Sequence, residues 1–381
     1  MTDTVQLFSG ISVVIDEAIY EDNETPNGIQ KIVQSIKSKY IPVLEYEVLP
    51  NDNEISRLHS ISFLILDWNL SGFHPIPDAT ITDNIEFIKK LFEVCFVPLF
   101  IFSDEDPHTI EVALSEQNIS PQNCPIFIKK KENLDTVDKL FDEIEKWVKE
   151  TPSIYVLKEW EKATREAKTI MLSELSSTNP FWPSVLTKAI QDDGGDKNWE
   201  LMNSLQNNLS YRIVFPEFDN DIIGLEKEGI TKEEVRKILE CERFIPNNKL
   251  PDYPFAGDIY LIDNNYYINI RPDCDIIREK KDLYLLKGNV IEEAKINSNT
   301  DDKIVFSQGE FQEKINNCFV AFVDGKILRF SLRKLDIKKW NEVKVNRCGR
   351  LLPPFITRIQ QKYSSYIQRQ GLPSIPSQAI K

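Results

Sequence analysis

Four short apolar runs in the first third of the chain end on side chains that could do chemistry together. Carboxylates, a hydroxyl and amines stand at these ends, in the order Asp16, Glu17, Asp67, Ser103, Lys129 and Lys130. Carboxylates that lie close together raise one another's pKa unless a cation holds them. A ligand set of oxygens, with neither His nor Cys, suits Mg²⁺. The hydroxyl and an amine could then bind an anion carried by Asp67.

The sequence around these residues predicts strands that alternate with helices. Apolar runs typical of strands buried on both faces occur at 11–16, 41–49, 60–67, 97–103 and 124–130. Helical periodicity occurs at 28–40, at 83–96, after Pro107 and at 134–148. We therefore expect residues 1–150 to form an α/β domain with a flavodoxin-like, doubly wound, five-stranded parallel sheet. Ligands of such sheets bind at the carboxyl ends of the strands, where the candidate residues stand.

Four motifs at these strand ends, taken in order, resemble the receiver domain of two-component response regulators. They are Val-Val-Ile-Asp-Glu-Ala at 13–18, Leu-Ile-Leu-Asp-Trp-Asn at 64–69, Phe-Ile-Phe-Ser-Asp-Glu at 100–105 and Ile-Phe-Ile-Lys-Lys-Lys at 126–131. The resemblance implies that Asp67 accepts a phosphoryl group from a phosphorylated histidine or a small phosphodonor. It also implies a set of Mg²⁺ ligands, namely Asp16, Glu17, Asp67 and the backbone carbonyl of Asn69.

The resemblance further implies which residues sense the phosphoryl group. Ser103 would be the switch hydroxyl, and Phe127 the aromatic switch residue. Lys130 is preferred to Lys129 as the lysine that pairs with the phosphoryl group. The reason is that Phe127 lies three residues before Lys130, where receivers often carry an aromatic residue.

The chain also departs from the receiver pattern. The second acid is Glu17 rather than Asp, and Lys131 stands where a proline usually follows the lysine. The intervals between the motifs are a few residues longer than in a standard receiver, which indicates a divergent branch. A degenerate receiver is the alternative. In it the acids are solvated turn residues, since charged residues are common in the loops after strands. Regulation would then work by partner binding.

Residues 151–245 are expected to form a helical connector. Thr151 and Pro152 suit the start of a long helix over 153–177. Its apolar stripe consists of Trp160, Ala163, Ala167, Ile170, Met171 and Leu175. The stripe could pack on the core of the same chain, or it could form a homodimer.

Residues 246–350 are expected to form a β-rich domain, either a small barrel or an open sheet. Asp324 and Gly325 are typical of a two-residue hairpin turn, and further strands are expected at 257–270 and 303–307. A polar group follows one of these strands and consists of Arg271, Asp273, Cys274 and Asp275. Because no His lies near it in sequence, we interpret this group as turn residues rather than as a catalytic cluster.

The end of the chain is basic on an otherwise acidic protein. The formal net charge is −14, but residues 326–381 contain 13 Lys and Arg against 2 Asp and Glu. We expect a basic helix and tail over 351–381, opened by Pro353-Pro354 and closed by Gly371. The candidate anion-binding residues are Lys338, Lys339, Arg347, Arg350, Arg358 and Lys362. They could bind nucleic acid or dock on the acidic remainder, and no helix-turn-helix pattern is present.

Composition excludes several classes of protein. No apolar stretch reaches membrane-spanning length, and no basic segment precedes an apolar run at the start of the sequence. The six cysteines are scattered singly, so neither a zinc site nor a disulfide framework is expected. We therefore expect a cytoplasmic protein that does not bind membranes.

The leading hypothesis is a response-regulator-like signalling protein. Its receiver would take a phosphoryl group from a histidine kinase or phosphotransfer protein and switch an atypical output module, an arrangement similar to proteins of prokaryotic anti-phage systems. No enzymatic activity is expected beyond the receiver's own phosphorylation and dephosphorylation. Two alternatives remain: a receiver-gated, nuclease-like effector that uses the β-rich domain, and a phosphate sink or scaffold that binds a kinase.

Overall fold

The computed structural model describes residues 4–22, 24–121, 124–131, 139–225, 229–278, 282–291, 317–368 and 379. The chain divides into two compact units. Unit 1 consists of Met1–Glu174 with Asn208–Glu226, and unit 2 of Leu175–Asn207 with Lys227–Lys381. The residues of the expected connector, 151–245, are thus divided between the two units. No helix among the described residues is both long enough and apolar enough to cross a bilayer.

Unit 1 is built on a five-stranded sheet in which every strand pairs with its neighbours in parallel. The strands are β1 (Ile11–Ile15), β2 (Val43–Tyr46), β3 (Ile61–Leu66), β4 (Leu99–Ser103) and β5 (Ile126–Lys130), in the order β2-β1-β3-β4-β5. The α/β class and the five parallel strands are as predicted, and the order is consistent with a flavodoxin-like domain. The central strands β3 and β4 are almost wholly buried, which explains their unbroken apolar sequences.

Helices cover both faces of this sheet. They are α1 (Thr4–Leu7), α2 (Gly28–Ser38), α3 (Asp52–Ile55), α4 (Asp78–Val94), α5 (Pro107–Ser115) and α6 (Lys139–Glu150). Alternate residues of each strand enter two separate apolar cores, so Val14 packs in the first core and Val13 in the second. Asn27 and Gln30 form a capping box that fixes the start of α2.

Five helices follow the sheet of unit 1. They are α7 (Pro152–Thr178), α8 (Trp182–Asp192), α9 (Lys197–Arg212), α10 (Asn220–Ile223) and α11 (Lys232–Arg243). The long helix expected over 153–177 is therefore present as α7. Half of its predicted stripe is buried, at Ala163, Ala167 and Met171, whereas Trp160 and Ile170 are more than half exposed.

Unit 2 contains a seven-stranded sheet with the order β10-β11-β9-β8-β7-β12-β6, in which all the paired strands are antiparallel. Its strands are β6 (Phe244–Pro246), β7 (Asp258–Ile262), β8 (Asn265–Asn269), β9 (Asp282–Ile291), β10 (Asn317–Val323), β11 (Lys326–Lys339) and β12 (Arg347–Leu351). The helices are α12 (Asp273–Arg278), α13 (Trp340–Val343) and α14 (Phe355–Gln368). Among the described strands, the order has two ends, β10 and β6, as in an open sheet.

The predicted hairpin joins β10 to β11, and both turn residues have positive φ, 52° at Asp324 and 67° at Gly325. Asp273 and its neighbours form the start of α12 rather than a turn. The strand expected at 303–307, Gly371 and most of the tail after Gln368 lie outside the described residues.

Candidate functional site

The carboxyl ends of β1 and β3 bring two aspartates together. These two strands are neighbours in the sheet, and Asp16 and Asp67 are the residues that follow them. The amide of Asp67 donates a 2.8 Å hydrogen bond to the carbonyl of Ile15, so the pairing continues to the position of the acids. Because parallel neighbours end at the same edge, residues 51 positions apart in sequence meet there.

Glu17 joins these aspartates in an acidic cluster, which consists of Asp16, Glu17 and Asp67. One carboxylate oxygen from each lies within 4.8 Å of the other two. Asp16 and Asp67 are buried, and Glu17 is half-buried. Burial and the charge of Asp67 raise the pKa of Asp16, although Lys131 opposes the rise. Burial, followed by the charges of Asp67 and Asp16, raises the pKa of Glu17 to about 7.

Lys131 is the lysine that contacts the acidic cluster. Its Nζ lies 2.7 Å from Oδ2 of Asp16 and 2.8 Å from Oδ2 of Asp67. Burial disfavours its charged form, but the two carboxylates outweigh that effect and raise the pKa of Lys131 above its usual value. Lys130 was preferred from the sequence, whereas the lysine that contacts the cluster is its neighbour Lys131; which lysine pairs with a phosphoryl group stays a prediction.

The end of β5 explains this difference. The strand ends at Lys130, and Lys131 lies just beyond it, where the backbone can direct the side chain over the edge of the sheet. Lys129 is committed elsewhere, because its Nζ pairs with the carboxylate of Glu143 on α6. Lys131, which contacts the cluster, is thus the residue that stands where receivers usually carry a proline.

Two further site residues predicted from the sequence lie near the same edge. Ser103 is the last residue of β4, is 1% exposed, and accepts a 3.4 Å hydrogen bond from the amide of Glu105 through its Oγ. Asn69 follows the phospho-acceptor candidate by two residues and donates its amide N–H to Oδ1 of Asp67 at 3.2 Å. Its own side chain is bonded to Phe73 and Ser71, which shapes the loop after β3.

Phe127 lies inside the sheet's aromatic packing rather than at the acidic cluster. Its ring centroid is 6.1 Å from that of Phe100, 6.5 Å from that of Phe102 and 5.7 Å from that of Trp147. Phe102 directly precedes Ser103. Phe127 thus contacts the strand that carries the candidate switch hydroxyl, through the ring next to Ser103. Its role as a switch stays a prediction.

Asn84 is a residue of the site that the sequence analysis missed. It lies on α4, is fully buried, and donates from Nδ2 to the carbonyl of Trp68 at 2.7 Å. Trp68 stands between Asp67 and Asn69. Asn84 therefore fixes the backbone that follows the candidate acceptor. Nothing in its own sequence context marks it, because the contact spans 16 residues and depends on how α4 packs.

Two of the basic residues near the end of the chain pair with an acidic residue of the same chain, as in the docking alternative, and the anion-binding alternative stays a prediction for the others. Arg347 is 7% exposed and donates to Asn247 and to the carbonyls of Tyr253 and Pro251. Arg350 binds the fully buried carboxylate of Asp258.

The other members of the predicted set divide between the interior and the surface. Lys362 has a buried Nζ near Cys318, while Lys338 is half-buried and Lys339 and Arg358 are exposed. At least three members of the predicted set therefore direct their charged groups inward.

The acidic cluster could bind a metal ion. Oε2 of Glu17 is buried and has no hydrogen-bond partner among the described residues, which suits an atom that binds a cation. With Glu17 ionised, three carboxylates and one lysine leave an excess of negative charge that a divalent cation would balance. The oxygen-only donor set fits Mg²⁺.

No protein-family model matches the chain, and no curated protein matches it.

Proposed function

We propose that unit 1 acts as a receiver-type phosphorylation domain in which Asp67 is the phosphoryl acceptor. The observation that supports this proposal best is the contact of Lys131 with both Asp67 and Asp16 beside the buried carboxylate oxygen of Glu17. A buried aspartate with only a structural role would not require a lysine and two further carboxylates beside it. A nucleophilic carboxylate that must hold a dianionic group needs both a mobile cation and metal ligands.

In the proposed reaction, a carboxylate oxygen of Asp67 attacks phosphorus in a phosphohistidine or in acetyl phosphate. A P–O bond to Asp67 forms as the P–N bond to imidazole, or the P–O bond to acetate, breaks. The leaving imidazole takes a proton from solvent. The donor protein would be a histidine kinase or a phosphotransfer protein.

Residues of this chain would hold the metal and the product. Asp16, Glu17, Asp67 and the backbone carbonyl of Asn69 would bind Mg²⁺, which when bound would neutralise charge on the phosphoryl oxygens. Lys131 already contacts Oδ2 of Asp67, so a small movement of its flexible side chain would place Nζ on a phosphoryl oxygen.

Ser103 would report the new group to the rest of the unit. Its hydroxyl accepts a bond from Glu105 but can still donate its own hydrogen to a phosphoryl oxygen. Phosphorylation adds about two negative charges at neutral pH, enough to draw a hydroxyl toward them. A shift of Ser103 would disturb Phe102 and, through it, Phe127. The altered surface around β4 and β5 would then change how unit 1 binds partners.

The test is phosphorylation of the full chain with acetyl phosphate and Mg²⁺, followed by phosphate-affinity electrophoresis. Wild-type protein should give a retarded band that disappears in Asp67→Asn. Asp83→Asn is the matched control, because Asp83 is an exposed aspartate on α4 outside the acidic cluster. A wild-type protein that stays unmodified, or an Asp67→Asn variant that is still modified, would contradict the proposal.

A further inference from the structure

Unit 2 contains a cavity of about 590 Å³ beside helix α14. This volume lies within the range of small-molecule pockets, roughly 300–1,000 Å³. One side is formed by α14, including Ile356, Gln360 and Tyr363. The other lining residues come from the segment before β7, from β9 and from residues near the ends of β8 and β12.

Two charged residues that line this cavity have hydrogen-bonding capacity that the described residues do not use. Asp273 accepts the amide N–H of Ala256 at Oδ1, 2.6 Å away, and its Oδ2 accepts no hydrogen bond from the described part of the chain. Arg350 uses Nε and Nη2 on Asp258 and on the carbonyl of Tyr253. Its Nη1 makes no hydrogen bond to any described residue.

Arg350 and Asp273 do not pair with each other. Although both line the same cavity, no nitrogen of Arg350 lies within ion-pair distance of the carboxylate of Asp273, for which a limit of about 4 Å applies. Burial raises the pKa of Asp273, and the charge of Arg350 opposes this rise through space. A donor and an acceptor that do not pair with each other thus line the same cavity.

The walls of the cavity are apolar and aromatic. Phe255, Tyr284 and Tyr363 contribute rings, and Pro272 and Pro353 contribute rigid apolar surface. The guanidinium of Arg350 lies 4.4 Å from the ring centroid of Phe255, which holds it in place. Such walls suit a flat ring system, because planar heteroaromatic groups stack on aromatic side chains.

The surrounding chain is positively charged. Residues 317–368 contain eleven Lys and Arg against three Asp and Glu. Arg347 and Arg350 are paired with Asp258, so exposed cations such as Lys339 and Arg358 are the ones that would attract a negatively charged group of a ligand.

We propose that this cavity of unit 2 binds a guanine base, with Arg350 donating to the base and Asp273 accepting from it. Guanine offers O6 and N7 as acceptors for an arginine, and N1–H and N2–H as donors for a carboxylate. Adenine does not offer the same pattern of acceptors and donors, since an amino group stands where guanine has O6. The base could belong to a free nucleotide or to a single-stranded RNA. The proposal does not depend on phosphorylation of Asp67.

The experiment is a calorimetric titration of the full chain with GMP, AMP, CMP and UMP. A second arm uses short single-stranded RNAs that contain or lack guanine. Asp273→Asn keeps the acceptor for Ala256 but changes the group offered to the base. Thr357→Trp fills the cavity from an exposed position on α14. Asp275→Asn, at an exposed acid on the same helix as Asp273, is the control.

We expect GMP or the guanine-containing RNA to bind at least about tenfold more tightly than its guanine-free counterpart, as for one good base contact. Both cavity variants should lose at least about tenfold in affinity, whereas Asp275→Asn and Asp67→Asn should bind as wild type does. Binding of the RNA but not of GMP would support the proposal with RNA as the source of the base. Absence of saturable binding in both arms, equal affinity for GMP and AMP, or unchanged binding by Thr357→Trp would overturn it.

Discussion

Nζ of Lys131 lies 2.8 Å from Oδ2 of Asp67, although the two residues are 64 positions apart in sequence. The side chain of Lys131 is 15% exposed and that of Asp67 is 4% exposed. A charged pair this well buried is a weak source of stability, yet losing one partner is costly. The pair lies next to Asp16 at the carboxyl edge of the sheet, where ligands of such folds bind.

Replacing Lys131 tests its role in the proposed reaction. Lys131→Met should reduce the rate of phosphorylation by acetyl phosphate at least about tenfold, because a hydrogen bond to a charged group contributes about 1.5–3 kcal/mol. The variant should also unfold more easily, by about 3 kcal/mol, since two buried carboxylates would lose their counter-ion. Phosphate-affinity electrophoresis and urea denaturation measure the two effects.

Lys130→Met is the matched control for Lys131→Met. Its rate of phosphorylation should stay within about twofold of the wild-type rate, because Lys131 and not Lys130 contacts Asp67. If Lys130→Met abolished phosphorylation while Lys131→Met did not, the assignment of the lysine would return to the residue preferred from the sequence.

The affinity of the acidic cluster for Mg²⁺ should depend on pH near neutrality. Burial, followed by the charges of Asp67 and Asp16, raises the pKa of Glu17 from 4.5 to about 7. Since Mg²⁺ needs the ionised carboxylate, its affinity should rise as pH increases toward about 7, by up to about tenfold per pH unit, and level off above it. Calorimetric titration at several pH values measures this dependence.

The raised pKa of Glu17 also predicts how the stability of the metal-free protein depends on pH. Between pH 4.5 and about 7 the folded chain keeps a proton on Glu17 that the unfolded chain releases. The contribution of Glu17 to stability is therefore complete below pH 4.5 and is lost as pH rises through about 7. Glu17→Gln should remove this component of the pH dependence of unfolding, and should also flatten the Mg²⁺ profile. A profile that stays unchanged in this variant would rule out Glu17 as the titrating group.

The sequence predicted the sheet of unit 1 because buried parallel strands have a simple signature. Four-residue and longer apolar runs without alternation, such as Phe63–Leu66, indicate strands covered on both faces. Parallel strands in turn place their carboxyl ends at one edge. The convergence of Asp16, Glu17 and Asp67 followed from topology alone, without knowledge of any side-chain contact.

The features missed from the sequence depend on packing that has no local pattern. The strand β5 ends at Lys130, as predicted, but the preference for Lys130 rested on its spacing from Phe127. Which of three consecutive lysines reaches Asp67 depends on side-chain direction beyond the strand, which the sequence does not report. The role of Asn84 depends on the packing of α4 against the loop after β3. Charge counts also cannot report burial, so the sequence left open whether Arg347 and Arg350 bind an external anion or an acid of the same chain, and their partner Asp258 lies about 90 residues before them.

Asn84 should act as a positioning residue for the candidate site. Asn84→Ala leaves the buried carbonyl of Trp68 without its donor, which should cost about 1–3 kcal/mol of stability. Because the loop would lose its anchor, affinity for Mg²⁺ should fall as well, while the pH midpoint set by Glu17 should persist. Calorimetry and urea denaturation measure both effects, and Asp83→Ala, an exposed neighbour on the same helix, is the control. Equal Mg²⁺ affinity in Asn84→Ala and wild type would limit Asn84 to a structural role.

The basic residues at the end of the chain should separate into structural and surface groups. Arg350→Ala would leave the fully buried carboxylate of Asp258 without its closest cation, which should cost about 3–5 kcal/mol. Lys339→Ala removes an exposed charge and should change stability by less than about 0.5 kcal/mol. Chemical denaturation of the two variants measures the difference. If the two changes were equally mild, the ion pair of Arg350 with Asp258 would not be a structural one, and Arg350 would remain a candidate for binding an external anion.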